Sequence, residues 1–253
     1  VLVLMAAKSY QQGLPLCEQD MFCTGMSGGA GSIDPAAIAL RPQSGSFALG
    51  RHHIPLDEEE ESRASLDLRS LQRRLAGRSI ILVGMMGAGK SAVGRRLAEK
   101  LGMAFTDADS EIEAAAGRSI EDIFDEFGEE HFRDGERRVI LRLIGEGPQV
   151  LATGGGAFMN EETREAIANA GISIWLQAEI SLLMRRVKRR NDRPLLKQGD
   201  PEETMRRLME ERDPVYGLAN LTVESRDVPH HHVVSDVLAA LGEYLDREER
   251  NAL

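Results

Sequence analysis

Eight consecutive residues, Gly84-Met85-Met86-Gly87-Ala88-Gly89-Lys90-Ser91, have the types and spacing needed to hold a chain of phosphates. Glycines let a backbone wrap closely around an anion, so its amides can point at phosphate oxygens. Lys90 can reach the terminal phosphates, and the Ser91 hydroxyl can take a place on a magnesium ion. The apolar run Ser79-Ile80-Ile81-Leu82-Val83 precedes the stretch and a helix-forming segment follows it, which is the strand, loop and helix order of a P-loop. A nucleoside triphosphate is the expected ligand, and the loop alone does not choose between kinase, GTPase and ATPase.

Asp107-Ala108-Asp109 supplies two carboxylates, which on an extended segment would point the same way. One could hold magnesium through water while the other accepts a hydrogen bond from an attacking hydroxyl. Either could instead cap the helix that follows. Arg133, in Phe132-Arg133-Asp134-Gly135-Glu136, and Arg212, in Glu210-Glu211-Arg212-Asp213-Pro214, could grip a small carboxylate bidentately or make ordinary surface ion pairs. Spacing leaves those alternatives open.

Arg193-Pro194-Leu195-Leu196 lies in a polar loop, Arg190 to Gly199, that could close over a nucleotide, exclude water and stabilise charge on a moving phosphoryl group. Its plainer reading is a surface turn. Gly154-Gly155-Gly156 is either a loose turn or a close backbone approach to a substrate. Pro229-His230-His231-His232 does not make a metal site, because consecutive histidines cannot all face one ion.

The elements that must position these residues alternate between strand-like and helical. Expected strands are Ser79–Val83, Met103–Phe105, Val150–Ala152, Ile172–Leu176 and Leu221–Val223. Expected helices are Ala92–Leu101, Ser110–Ala116, Ser119–Phe127, Glu129–Ile144, Asn160–Ala168, Ile180–Arg189, one opening at Asp200-Pro201, and His232–Leu245. Such alternation predicts an α/β fold with a five-stranded parallel sheet flanked by helices on both faces. Ligands of such sheets bind beyond the carboxyl ends of the strands, so the candidate residues can converge on one crevice.

A chain of 253 residues with 42% hydrophobic and 28% charged residues can bury a sizeable core. Its formal net charge of -10 argues against nucleic acid as a general partner. Only Cys17 and Cys23 are present, which suits a reducing cytoplasm and excludes a disulfide framework. The apolar opening Val1–Ala7 is too short to span a bilayer, and no membrane helix is expected. A first residue of Val suggests a fragment or an extended reading frame, with Met21 or Met26 as candidate starts. Residues 1–77 are expected to be a disordered extension, with the acidic linker Asp57–Glu61 and a short amphipathic helix carrying Leu66, Leu68, Leu71 and Leu75. The folded domain is expected at residues 78–248.

Taken together, these segments resemble the shikimate kinase family. The P-loop G-x-x-G-x-G-K-S/T is Gly84 to Ser91, D-x-D-x-x-I-E is Asp107 to Glu113, and I-x-x-I-F is Ile120 to Phe124. G-E-x-x-F-R-x-x-E is Gly128 to Glu136, and the glycine turn, R-P-L-L and R-x-P-x-Y follow in order, so the likeness spans Arg78 to Leu245. The segment Tyr216-Gly217-Leu218-Ala219 lacks an acidic residue often seen after that tyrosine.

The resemblance implies a P-loop kinase fold with a mobile lid, and transfer of the ATP γ-phosphoryl group to the 3-hydroxyl of shikimate. It implies ATP binding by Gly87, Ala88, Gly89, Lys90, Ser91, Ala92, Arg189 and Arg193, with Arg189 and the stretch near Pro229 bordering the adenine. Lys90, Asp109 and Arg193 would be catalytic, Asp109 as the base and Arg193 as the lid arginine. Asp109, Arg133, Gly155 and Arg212 would bind shikimate, with both arginines on its carboxylate and Glu136 positioning Arg133. Mg2+ would be held by Ser91 and, through water, by Asp107. A monomer acting on shikimate and ATP is expected. A gluconate or nucleoside monophosphate kinase would share the P-loop but not the full set of Asp109, Arg133, Gly155 and Arg212. A regulatory module without transferase activity would be expected to have lost the lid or acceptor residues.

Overall fold

The computed structural model describes residues 68–188 and 200–252. The expected extension up to residue 67, with its acidic linker and both cysteines, lies outside them, as do Arg189 and the whole of the expected lid loop with Arg193.

The strands are β1 (Ser79–Val83), β2 (Ala104–Asp107), β3 (Gln149–Ala152), β4 (Gly171–Gln177) and β5 (Leu221–Glu224), one sheet in the order β2-β3-β1-β4-β5 with every pairing parallel. Ile81 pairs with Leu151 on one side and Ser173 on the other, which makes β1 the centre of the sheet. Alternate residues of a strand face opposite sides, yet every residue of β1 is buried. Both faces of the central strand are therefore covered, which is why its sequence is continuously apolar rather than alternating.

Residues 68–75 are helical (α1) and place Leu71 and Leu75 in the main core. Between and after the strands come α2 (Lys90–Leu101), α3 (Ala108–Ala116), α4 (Ile120–Gly145), α5 (Glu161–Ala170), α6 (Ile180–Val187), α7 (Pro201–Tyr216) and α8 (His230–Asn251). Their starts follow local chemistry. Ser119 and Asp122 form a reciprocal capping box on α4, Asn160 caps α5 through the Thr163 amide, and Asp200 caps α7 ahead of Pro201. Gly128, at φ 81° and ψ 174°, breaks α4 at the expected junction between a short helix and a longer one.

The sequence reading of Asp107 and Asp109 needs one correction. Strand β2 runs on to Asp107 instead of ending at Phe105, and Asp109 lies in the first turn of α3 rather than on an extended segment. Asp107 turns the chain itself: its Oδ1 accepts from the Asp109 amide at 3.2 Å, so it caps α3. The last helix is also longer than expected at both ends, because α8 opens at His230, directly after Pro229.

Candidate active site

The loop between β1 and α2 is held open by backbone torsions that only glycine takes up without strain. Gly84 sits at φ 132°, and a Cβ there would come within 2.7 Å of Leu176 O on β4. Gly89 sits at φ 97° as the residue before α2. That helix has no side-chain cap and no acidic residue in its first turn, whereas α3, α4, α5 and α7 each have a side-chain cap. The helix dipole favours an anion at such a start. The Lys90 ammonium is buried and folds back on the loop, donating to Gly84 O at 2.7 Å and Met85 O at 2.9 Å.

Beside the P-loop, the end of β3 is fastened to the end of β1. Thr153 donates to Leu82 O from both its amide, at 3.2 Å, and its hydroxyl, at 3.1 Å. The glycine turn that follows is thereby fixed against the loop. A cleft of about 280 Å³ opens between them, lined by Ser91, Asp107, Asp109, Arg133, Glu136, Gly154, Gly155, Gly156 and Arg212 among others. Eight candidate residues and motif positions, scattered from position 107 to position 212, thus line one cleft with the P-loop serine.

Two charged groups of this cleft, Glu136 and Arg212, are nearly dry. Glu136 is 2% exposed, and its Oε2 accepts from Arg133 Nη1 at 2.7 Å. Burial raises the Glu136 carboxyl above its usual range, against the pull of Arg133. Arg133 also donates from Nε and Nη2 to Glu129 Oε1, at 3.2 and 3.0 Å. Arg212 is 5% exposed and donates from Nη1 to Gly155 O at 3.2 Å. Glu136 Oε1 and Arg212 Nε are both buried without a hydrogen-bond partner. Buried polar atoms are seldom left unpaired, so an orphan acceptor and an orphan donor lining one cleft suit a polar ligand.

The glycine turn has a reason that its sequence does not reveal. A Cβ on Gly156 would collide with the Arg133 guanidinium, and one on Gly154 would collide with Glu136 Oε1 and come within 2.9 Å of Asp109 Oδ1. Two of the three glycines therefore make room for the protein's own charged side chains. Gly155 is the one that faces the P-loop: a Cβ there would lie 3.5 Å from Met86 N.

Gly87, Ala88 and Gly89 form the loop as expected, and Ala92 follows Ser91 in the first turn of α2. Two contributors escaped the sequence reading. Arg186, near the end of α6, donates to Gly87 O, Ala88 O and Ser225 Oγ at 3.2, 3.3 and 3.0 Å, and so braces the P-loop from behind. It stands in a run of basic residues, Arg185 to Arg190, with nothing to single it out. Tyr216 donates to Gly155 O; its motif was visible, but not its target.

A phosphate loop after the central strand of a five-stranded parallel sheet, opening on a cleft with a carboxylate and two arginines, defines a small-molecule P-loop kinase. The family model described as "Shikimate kinase" matches residues 86–242. The shikimate kinase of Bradyrhizobium diazoefficiens is 59% identical over 175 residues, 69% of this chain and 84% of that protein. The shikimate kinase of Rhodopseudomonas palustris is also 59% identical, over 68% of this chain and 84% of that protein. Among solved structures, shikimate kinase from Acinetobacter baumannii in complex with shikimate superposes with a TM-score of 0.64 at 39% identity, covering 66% of this chain and 94% of that one. The chain belongs to the shikimate kinase family.

Proposed function

We propose that this protein transfers the γ-phosphoryl group of ATP to the 3-hydroxyl of shikimate, giving shikimate 3-phosphate and ADP in the shikimate pathway of aromatic amino-acid biosynthesis. The observation that carries this reading is the single cleft in which the P-loop serine, Ser91, shares a wall with Asp109, Arg133, Gly155 and Arg212.

Phosphoryl transfer asks a protein mainly for positioning and for stabilisation of charge. In our reading, Gly87, Ala88, Gly89 and Ala92 offer the loop and first helical turn to the phosphates, and Lys90 exchanges its carbonyl partners for phosphate oxygens. Arg133 and Arg212 hold the shikimate carboxylate, and the orphan Arg212 Nε is a donor ready for it. Asp109 accepts the hydrogen of the 3-hydroxyl as that oxygen bonds to the γ-phosphorus and the bond from phosphorus to the β,γ-bridging oxygen breaks. Gly155 contacts the acceptor from the glycine turn. Arg193, acting from a lid, would complete the charge around the phosphoryl group, and Arg189 would border the adenine.

Magnesium fits the donor set. Ser91 and Asp107 bring hard oxygen ligands to the same cleft. This suits an ion that takes one or two protein oxygens and completes its shell with phosphates and water. Bound there, the ion would neutralise charge on the phosphates.

We place the kinase domain at residues 78–248, with α1 packed on it, and infer a monomer working in the cytoplasm. The described lining of the cleft comes from this chain. No helix among the described residues is long and apolar enough to cross a membrane. The direct test offers magnesium-ATP with shikimate, gluconate or AMP separately and follows ADP release. Stimulation by shikimate alone is expected; stimulation by gluconate or AMP in its place would reassign the acceptor.

A further inference from the structure

Tyr216 ends the R-x-P-x-Y segment, and the chemistry above gives it no task. Its side chain is 0% exposed, yet its hydroxyl donates to Gly155 O, 61 residues away in the chain. Arg212, one helical turn earlier on α7, donates to the same carbonyl from Nη1 at 3.2 Å. Residues four apart share a helix face, and a carbonyl oxygen has two lone pairs, so both donors can be accepted together.

Gly155 also faces the P-loop. A Cβ at this position would lie 3.5 Å from Met86 N and 3.7 Å from Gly84 O. The Tyr216 hydroxyl is itself 3.9 Å from Met85 Sδ. Gly84 and Met85 supply the two carbonyls that hold Lys90. One phenol therefore contacts the acceptor-side turn and the nucleotide-side loop at once.

Arg212 meanwhile faces two demands, because it bonds Gly155 while its buried Nε has no partner. We propose that Tyr216 is a positioning residue that keeps the Gly155 peptide against the P-loop when Arg212 turns to the carboxylate of the acceptor. The inference rests on the shikimate kinase reading. Burial pushes the Tyr216 phenol up to about 12, so it remains a proton donor throughout the physiological range. Phenylalanine would fill the same space without the hydroxyl and leave the Gly155 carbonyl to Arg212 alone.

The test compares wild type with Tyr216→Phe in melting temperature, in affinity for an ATP analogue without acceptor, and in kcat and KM for shikimate. Expected are a fall of about tenfold in kcat/KM for shikimate, the size of one buried hydrogen bond, with nucleotide affinity within about twofold. An unchanged kcat/KM, or an equal loss in nucleotide affinity, would overturn the proposal. A wild type that shikimate does not stimulate would instead count against the functional reading. Should the variant not fold, wild-type hydrogen exchange decides, at the Thr153 and Met159 amides that bond around the turn. Protection kept or raised by shikimate supports a second anchor on Gly155; protection lost on binding means Arg212 held the turn alone.

Discussion

The two ends of the cleft are made in different ways. The donor end is backbone: glycine torsions and the uncapped start of α2, contained in eight consecutive residues. The acceptor end is side chain: Asp109 from α3, Arg133 and Glu136 from α4, and Arg212 from α7, gathered around a turn after β3. A site made of local backbone geometry takes its shape from its own torsions, with Arg186 bracing it through Gly87 O and Ala88 O. One made of buried charges needs every neighbour, since each charge must be paired as it leaves water. The contrast predicts that acceptor-end substitutions will damage acceptor use selectively, while donor-end substitutions will act on nucleotide binding.

The largest expected effect comes from Asp109→Asn, which keeps the size of the side chain and removes the carboxylate we propose as the base. Its kcat should fall by about 10²–10⁴-fold with nucleotide affinity nearly unchanged. Equal loss of nucleotide affinity would erase the distinction between the ends. Next come Arg133→Ala and Arg212→Ala, each expected to lower kcat/KM for shikimate by about 10–100-fold, as for losing a charged hydrogen bond. Parallel losses in ATP affinity, measured by titration, would mean that these arginines serve the fold rather than the acceptor.

At the donor end, Gly84→Ala brings a Cβ to 2.7 Å from Leu176 O at φ 132°. It should destabilise the protein by about 1–3 kcal/mol and weaken ATP before shikimate, as read by thermal unfolding and titration. Smallest of all should be Arg74→Ala, which removes partly exposed pairs with Asp246 and Glu249 that join α1 to α8. Its cost should stay within about 1 kcal/mol with activity intact, because such pairs contribute little in water. A larger loss would show that α1 is held by charge more than by Leu71 and Leu75.

How far the sequence could be understood follows the same division. The P-loop was legible because strand, glycines, lysine and helix are contiguous. The strand positions and the caps at Ser119, Asn160 and Asp200 were accessible for the same local reason. Arg133 and Arg212 could be only surface pairs or carboxylate grips by spacing, and it was the family resemblance that favoured the second. Asp107 as a cap was among the open alternatives, but the fold of Asp109 into α3 was not expected. The purpose of Gly154 and Gly156 was hidden, since it depends on Glu136, Asp109 and Arg133 arriving from other helices. Arg186 was hidden too, its target Gly87 O lying 99 residues away.

The central claim is that this cleft joins ATP to a shikimate hydroxyl, and phosphorus NMR of the reaction mixture tests it most directly. With wild-type protein, magnesium-ATP and shikimate, the account predicts a phosphate ester on the shikimate 3-oxygen growing in step with ADP. Growth of ADP and inorganic phosphate without the ester would contradict it.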